Sequence, residues 1–243
     1  MTIESFLQNL TNGISLGALY ALISIGYTMV YGILRLINFA HGDLVMLGAY
    51  FAFYGVALFL LPWWLAFPLA ILLTTLIGII IEKAAYKPLR EFPRINLFAA
   101  AVAVAFLLEN LAIVIFGGRP KAFARPAFLD QLLNIGKVSF VSYTPVIILT
   151  AIVLCTILIL IINRTKAGIA MRALSKDIET TALMGVNTNR IIMFAFMLGS
   201  SLAAAGGILW AIKFPQINPL MGVMPGLKAF IAAVLGGIGN VWG

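Results

Sequence analysis

Charged residues are scarce in this sequence. Asp, Glu, Lys and Arg together make up 10% of its 243 residues, where a water-soluble domain carries about a quarter. So few ions cannot coat a globular surface, which excludes an ordinary soluble protein. Cysteine is nearly absent too. Cys155 stands alone inside the apolar run VIILTAIVLCTILILII, so neither an intrachain disulfide nor a cysteine metal cluster can form, and no metal site is expected. His41 is the sole histidine, and the sequence contains no HExxH zinc motif and no GxxxxGK[ST] phosphate loop. Any ATP use must therefore belong to a partner, and the chain is expected to be no enzyme: it has no catalytic residue and no cofactor of its own. An intramembrane metalloprotease or serine hydrolase is not expected either.

What the sequence has in abundance is apolar length. Hydrophobic residues make up 63% of the chain and the mean hydropathy is +1.09. A spanning helix needs about 20 apolar residues. On that measure the candidates are Gly13–Leu34, Leu44–Leu61, Trp63–Ile81, Ile95–Phe116, Thr144–Ile162, Ile191–Ile212 and a shorter, glycine-rich Gly226–Gly243. The expected fold is an all-α polytopic membrane bundle with about seven spans, forming one transmembrane domain over residues 1–243. The N-terminal stretch MTIESFLQNLTN has no Lys or Arg and leads to no small-residue cleavage site, so the first span should be retained rather than cleaved as a signal peptide. Two adjacent tryptophans in LPWW, Leu61–Trp64, favour the headgroup layer and mark a tight hairpin between antiparallel spans.

The net charge of +8 would suit a nucleic-acid binder, but the basic residues sit in short loops between spans, where membrane orientation accounts for them. One set of alternate connections holds Arg35, Lys83, Lys87, Arg90, Arg94, Arg164, Lys166, Arg172, Lys176 and Arg190; the other holds Arg119, Lys121, Arg125, Lys137, Lys213 and Lys228. Ten against six places the N-terminus outside and the loop Asn163–Arg190 inside. No nucleic-acid partner is expected.

That inner loop, NRTKAGIAMRALSKDIETTALMGVNTNR, is too polar to span but reads as helical. Ser175 is expected to cap a short helix with Asp177 and Glu179 in its first turns and Gly185 as its stop. Leu174, Ile178, Ala182 and Gly185 recur at helical spacing and form a narrow stripe. The stripe suits either an interfacial helix lying on the membrane or a surface for protein docking.

The segment AGIAMRALSKDIETTALMGVNTNRI resembles the cytoplasmic coupling loop of the branched-chain amino acid permeases of ABC importers. So does NGISLGALYALISIGYTMVYGILRLINFAHGDLVMLGAY resemble that family's opening, and GLKAFIAAVLGGIGN its later glycine-rich helix. The resemblance implies a bacterial inner-membrane permease that pairs with a second, related permease. Two ATP-binding subunits would power it, and an external solute-binding protein would deliver leucine, isoleucine or valine. It also implies that Arg172 through Gly185 dock on the ATPase. Ala173, Ala182 and Gly185 allow close backbone approach, while Arg172, Asp177 and Glu179 offer charge pairs that fix register.

Two polar interruptions are candidates for the solute path. INFAHGD, Ile37–Asp43, holds Asn38, His41 and Asp43 between the first two spans. It is either an ordinary cytoplasmic turn and helix cap or a broken, re-entrant segment lining a path. Glu109 sits in AVAVAFLLENLAIVIFGG about seven residues from the helix end, roughly 10 Å deep. It is expected to face the bundle interior, in interhelical hydrogen bonding or solute contact. The small residues of GSSLAAAGG, Gly199–Gly207, should permit close helix packing, and the stretch after Leu198 echoes the opening in layout, which suggests an internal repeat. The end at GNVWG points to a C-terminal truncation, because members of the resembled family continue through another helical stretch. Permeases of similar sequence also serve other amino acids, urea or short amides. An ion-coupled secondary transporter is the rival class; it would need charged residues in the spans, and Glu109 is the clear example.

Overall fold

Long apolar runs must satisfy their backbone polar groups internally, and helices do so. The computed structural model describes residues 3–135 and 138–237. Among these residues nine α-helices follow in order: α1 (Ile3–Leu34), α2 (His41–Ala57), α3 (Trp63–Ile81), α4 (Arg94–Phe116), α5 (Tyr143–Arg164), α6 (Lys166–Lys176), α7 (Ile178–Leu183), α8 (Thr188–Lys213) and α9 (Val223–Leu235). The all-α membrane bundle is as expected. The span count differs. Five helical stretches are long and apolar enough to cross a bilayer: Ser5–Leu34, Trp63–Leu89, Arg94–Phe116, Tyr143–Arg164 and Thr188–Lys213. The second expected span is helical only over the 17 residues of α2, about 25 Å at 1.5 Å per residue and short of the ~30 Å hydrocarbon core. The seventh lies partly outside the described residues, and its described part, α9, has 13 residues.

Side-chain size decides which helix sits inside. The apolar window of α8 is 67% buried, whereas those of α4 and α5 are each 17% buried and present large aliphatic side chains outward, as membrane-facing helices do. The run GSSLAAAGG makes α8 central, as its composition suggested. A Cβ on Gly207 would stand 1.9 Å from the Val45 carbonyl oxygen, and one on Gly48 would stand 2.5 Å from the Ala204 Cα. One on Gly199 would lie 3.1 Å from the Gly26 carbonyl oxygen. These are backbone-to-backbone approaches of α1 and α2 to α8, available only to small residues.

Several basic groups of each set gather together. At one end Arg35 and Arg94 share a cleft with Leu174–Glu179, and Arg90 donates to the Asn189 side chain at 2.8 Å. At the other, β1 (Lys121–Ala122) pairs antiparallel with β4 (Gln216–Ile217), Lys121 opposite Ile217, and Arg125 donates to the Lys213 carbonyl at 3.3 Å. A hairpin, β2 (Leu132–Ile135) and β3 (Val138–Val141), lies in the same connection as β1. Lys137, counted with this end, lies outside the described residues.

The inner loop holds two helices rather than one. Ser175 is not the cap: its hydroxyl donates to the Arg172 carbonyl at 2.8 Å, inside the last turns of α6. Thr165 caps α6, accepting from the Gly168 amide, and Asp177 caps α7, accepting from the Glu179 and Thr180 amides. Asp177 is extended (φ −154°, ψ 117°), so the chain bends there and the expected stripe divides. Leu174 is buried against the bundle, while Ile178, Ala182 and Gly185 are exposed. Gly185 stops α7 as expected, with φ +81°.

Candidate functional site

The site begins where α1 ends. Arg35 adopts the left-handed conformation (φ 49°) and terminates α1, and Arg35–Ala40 is non-helical. Leu36, Asn38 and Ala40 are buried. The next helix does not restart at the membrane face. His41, its first residue, donates from Nε2 to the Ile23 carbonyl at 3.2 Å, eleven residues back along α1 and so roughly 16 Å from the end of that helix. Six non-helical residues span up to about 20 Å, enough for that climb. Irregular backbone at this depth is tolerated where protein buries it or a cavity adjoins it. Ile37–Asp43 is thus a break that returns into the bundle and not a surface turn.

Tight packing holds the break in place. The His41 ring is fully buried against Tyr27, 4.4 Å between centroids, and occupies the space that a Cβ on Gly26 would need. A carbonyl only accepts, so Nε2 carries the proton and Nδ1 is an acceptor without a partner. Asn38 accepts from the Tyr86 hydroxyl at 2.8 Å, and its Nδ2 has no partner. Tyr86 ends a π-helical turn, Glu82–Tyr86, that continues α3. In that turn Glu82 is buried and ion-paired with Arg90.

A cavity of about 300 Å³ lies between α1, α2, α4 and α9. Its wall is mostly apolar, with Val102, Phe106 and Phe230 among its side chains, and its polar groups include Tyr27, Asp43 and Glu109. Asp43 is 3% exposed and Glu109 partly exposed. The two carboxylates, 66 residues apart in sequence, face one space. Asn38 and His41 are not on the wall; they pack behind it and fix the path of α2. The third side is glycine. A Cβ on Gly222 would stand 1.9 Å from the Gly42 carbonyl oxygen, and one on Gly226 would stand 2.9 Å from the Gly42 Cα. Hence the start of α9 sits directly on the start of α2.

Sequence reasoning missed Tyr27, Gly222 and Gly226. It also missed buried Glu82, which lies beside Lys83 and Lys87 and reads as loop. GISLG, Gly13–Gly17, has the spelling of a GxSxG nucleophile elbow, but it lies within continuous α1 rather than on a strand-to-helix turn. Ser15 there is fully buried and accepts from the Lys213 ammonium at 2.9 Å.

Of the coupling-loop residues, Arg172 is committed within the chain. It donates to the Ile162 carbonyl and the Asn163 side chain, both at 2.9 Å, closing the end of α5. Ala173, Asp177, Glu179, Ala182 and Gly185 are exposed, as are Leu183 and Met184 at the tip. Hydrogen bonds from the Thr180 hydroxyl, then from the Thr180 and Glu179 amides, hold the Asp177 carboxyl below the usual carboxylate range.

Residues 9–243 match the family model described as branched-chain amino acid transport system, permease component. The high-affinity branched-chain amino acid transport system permease protein BraD of Pseudomonas aeruginosa is 39% identical, over 99% of this chain and 82% of its own length. The corresponding permease protein LivH of Escherichia coli is 37% identical, over 98% and 81%. The ribose import permease protein RbsC of Haemophilus influenzae is 26% identical, over 95% and 69%. No solved structure matches.

Proposed function

Since the chain belongs to the branched-chain amino acid transport system permease family, we propose that it is the membrane-spanning subunit of an ABC importer that carries leucine, isoleucine and valine across the bacterial inner membrane. The observation that carries this reading is the similarity to BraD along 99% of the chain. In this reading a second, related permease completes the path, two ATP-binding subunits supply the energy, and an external solute-binding protein delivers the substrate. ATP stays on those partners; this chain needs no cofactor. The helical pair α6–α7 is the coupling element, through Ala173, Asp177, Glu179, Ala182 and Gly185, with Arg172 holding the pair to the end of α5. The break before α2 supports the solute-path role, because it brings Asp43 to a cavity beside Glu109.

The weaker similarity to a ribose permease favours a second reading that keeps the machinery and changes the solute. Radiolabelled leucine uptake into vesicles holding the chain with its partner subunits, with and without internal ATP, decides the matter. ATP-dependent uptake of leucine is expected. ATP-dependent uptake of another solute alone would correct the substrate, and uptake driven by an ion gradient without ATP would refute the importer.

A further inference from the structure

An aliphatic amino acid is a zwitterion with an apolar tail, and the cavity between α1, α2, α4 and α9 offers a counterpart for each part. Asp43 is almost fully buried, lies on the wall, and has no cationic partner: among the described residues the salt bridges join Glu82 to Arg90 and Asp130 to Arg125. No Lys, Arg or His lines the cavity, so Glu109 brings a second carboxylate and no cationic side chain there offsets either one. Two carboxylates facing an apolar, low-dielectric space repel each other, and a cation between them turns that repulsion into attraction. The start of α9 is on the same wall, against Gly42 beside Asp43. Gly222 and Val223 are on the wall, no side chain caps this helix, and the close glycine contact with Gly42 holds its first turn at the cavity. The Val223 amide is taken by the Leu220 carbonyl and Pro225 has no N–H, so what this end of a 13-residue helix offers an anion is its positive dipole end. Val102, Phe106 and Phe230 complete an apolar side.

We propose that this cavity is a transient zwitterion site: Asp43 and Glu109 take the α-ammonium group of the transported amino acid, the start of α9 takes its α-carboxylate, and the apolar wall takes its side chain. The inference rests on the importer reading and adds that the permease itself holds the substrate by its charged groups. It also accounts for the break before α2, since a helix starting at the membrane face would not carry Asp43 to this depth.

The test uses the full chain assembled with its permease partner, ATPase subunits and binding protein in proteoliposomes. It reads ATP-driven uptake of radiolabelled leucine. Asp43→Asn and Glu109→Gln should each lower the initial rate roughly ten-fold or more, the loss expected when one charge of a buried recognition pair is removed. Charge-preserving Glu109→Asp should keep most of the rate. Glu109 is partly exposed, so its two variants decide the question even where Asp43→Asn fails to assemble. Wild-type rates in both neutral variants overturn the proposal, and so does a loss in Glu109→Asp as large as in Glu109→Gln, which would make the role one of shape. Absence of leucine uptake by the wild type would instead refute the importer reading on which the site rests.

Discussion

Gly207→Ala is the sharpest test of how the bundle is packed. The added Cβ would stand 1.9 Å from the Val45 carbonyl oxygen and 2.8 Å from its carbonyl carbon. Ordinary contact begins at about 3.4 Å, so α2 and α8 would have to part by about 1.5 Å. Both obstructing atoms are backbone and cannot rotate away, which puts the cost at the upper end of overpacking, about 3 kcal/mol. Replacing glycine with alanine in a helix returns about 1 kcal/mol. The net is a loss of about 2 kcal/mol, equivalent to a fall of about 4–8 °C in the unfolding midpoint for a chain of this size. Transport should fall with it, because Val45 lies two residues from Asp43. Thermal unfolding of the detergent-purified chain reads the stability term directly. Gly17→Ala is the matched comparison: no atom lies within 4 Å of its added Cβ, so helix propensity alone operates and the midpoint should hold or rise. Equal midpoints for Gly207→Ala and wild type, or equal losses at both positions, would refute the argument that α8 is central because its backbone touches α2.

Three further outcomes are expected. Tyr86→Phe removes the donor to Asn38 and leaves that buried side chain with neither end satisfied, a loss of about 1–3 kcal/mol that a thermal midpoint will show. Asp177 is held below its ordinary pKa by its capping bonds, so its stabilisation of α7 is fully present above the unfolded carboxylate value of about 3.9 and is lost as pH falls through the lower folded value. Amide-exchange protection of Glu179 and Thr180, relative to the intrinsic rate, should therefore be flat above about pH 5 and decline below about pH 4, whereas Asp177→Asn should flatten the profile. Gly185→Val should abolish copurification of the ATPase subunits while leaving the chain in the membrane. Gly185→Asn, which tolerates the left-handed backbone at φ +81°, should keep more of it, and unchanged copurification and uptake in Gly185→Val would remove this loop from docking.

Much of the architecture was legible because hydropathy is a local sum. The runs that became α1, α3, α4, α5 and α8 are long and apolar in themselves, and the polar loop between α5 and α8 stands out against them. Errors arose where a local pattern met a non-local constraint. Leu44–Leu61 reads as a full span, yet the helix starts at His41 and stops at Ala57, because the chain first climbs inside the bundle and α2 then needs only the remaining distance. Ser175 and Asp177 are both good caps by type; geometry assigned the cap to Asp177, where the backbone is extended. Arg172 looked available for a partner, but the turn after α5 puts two acceptors of its own chain within reach. For Glu109 the spacing gave only its place along α4, and its meeting with Asp43 was not legible, since that depends on where α4 lies.

The sequence alone determined that this chain lives in a membrane, that five of its runs are long and apolar enough to cross one, and, through its motifs, the family. Those properties follow from the composition of short contiguous segments, and the energy of moving apolar residues out of water is nearly additive along them. Only the tertiary structure decided that the first connection returns into the bundle, that Asp43 and Glu109 share a cavity, and that Gly42, Gly48 and Gly222 are contact points. The physical reason is distance along the chain: a glycine's value there is the backbone brought against it from as many as 184 residues away, and no local window contains both partners.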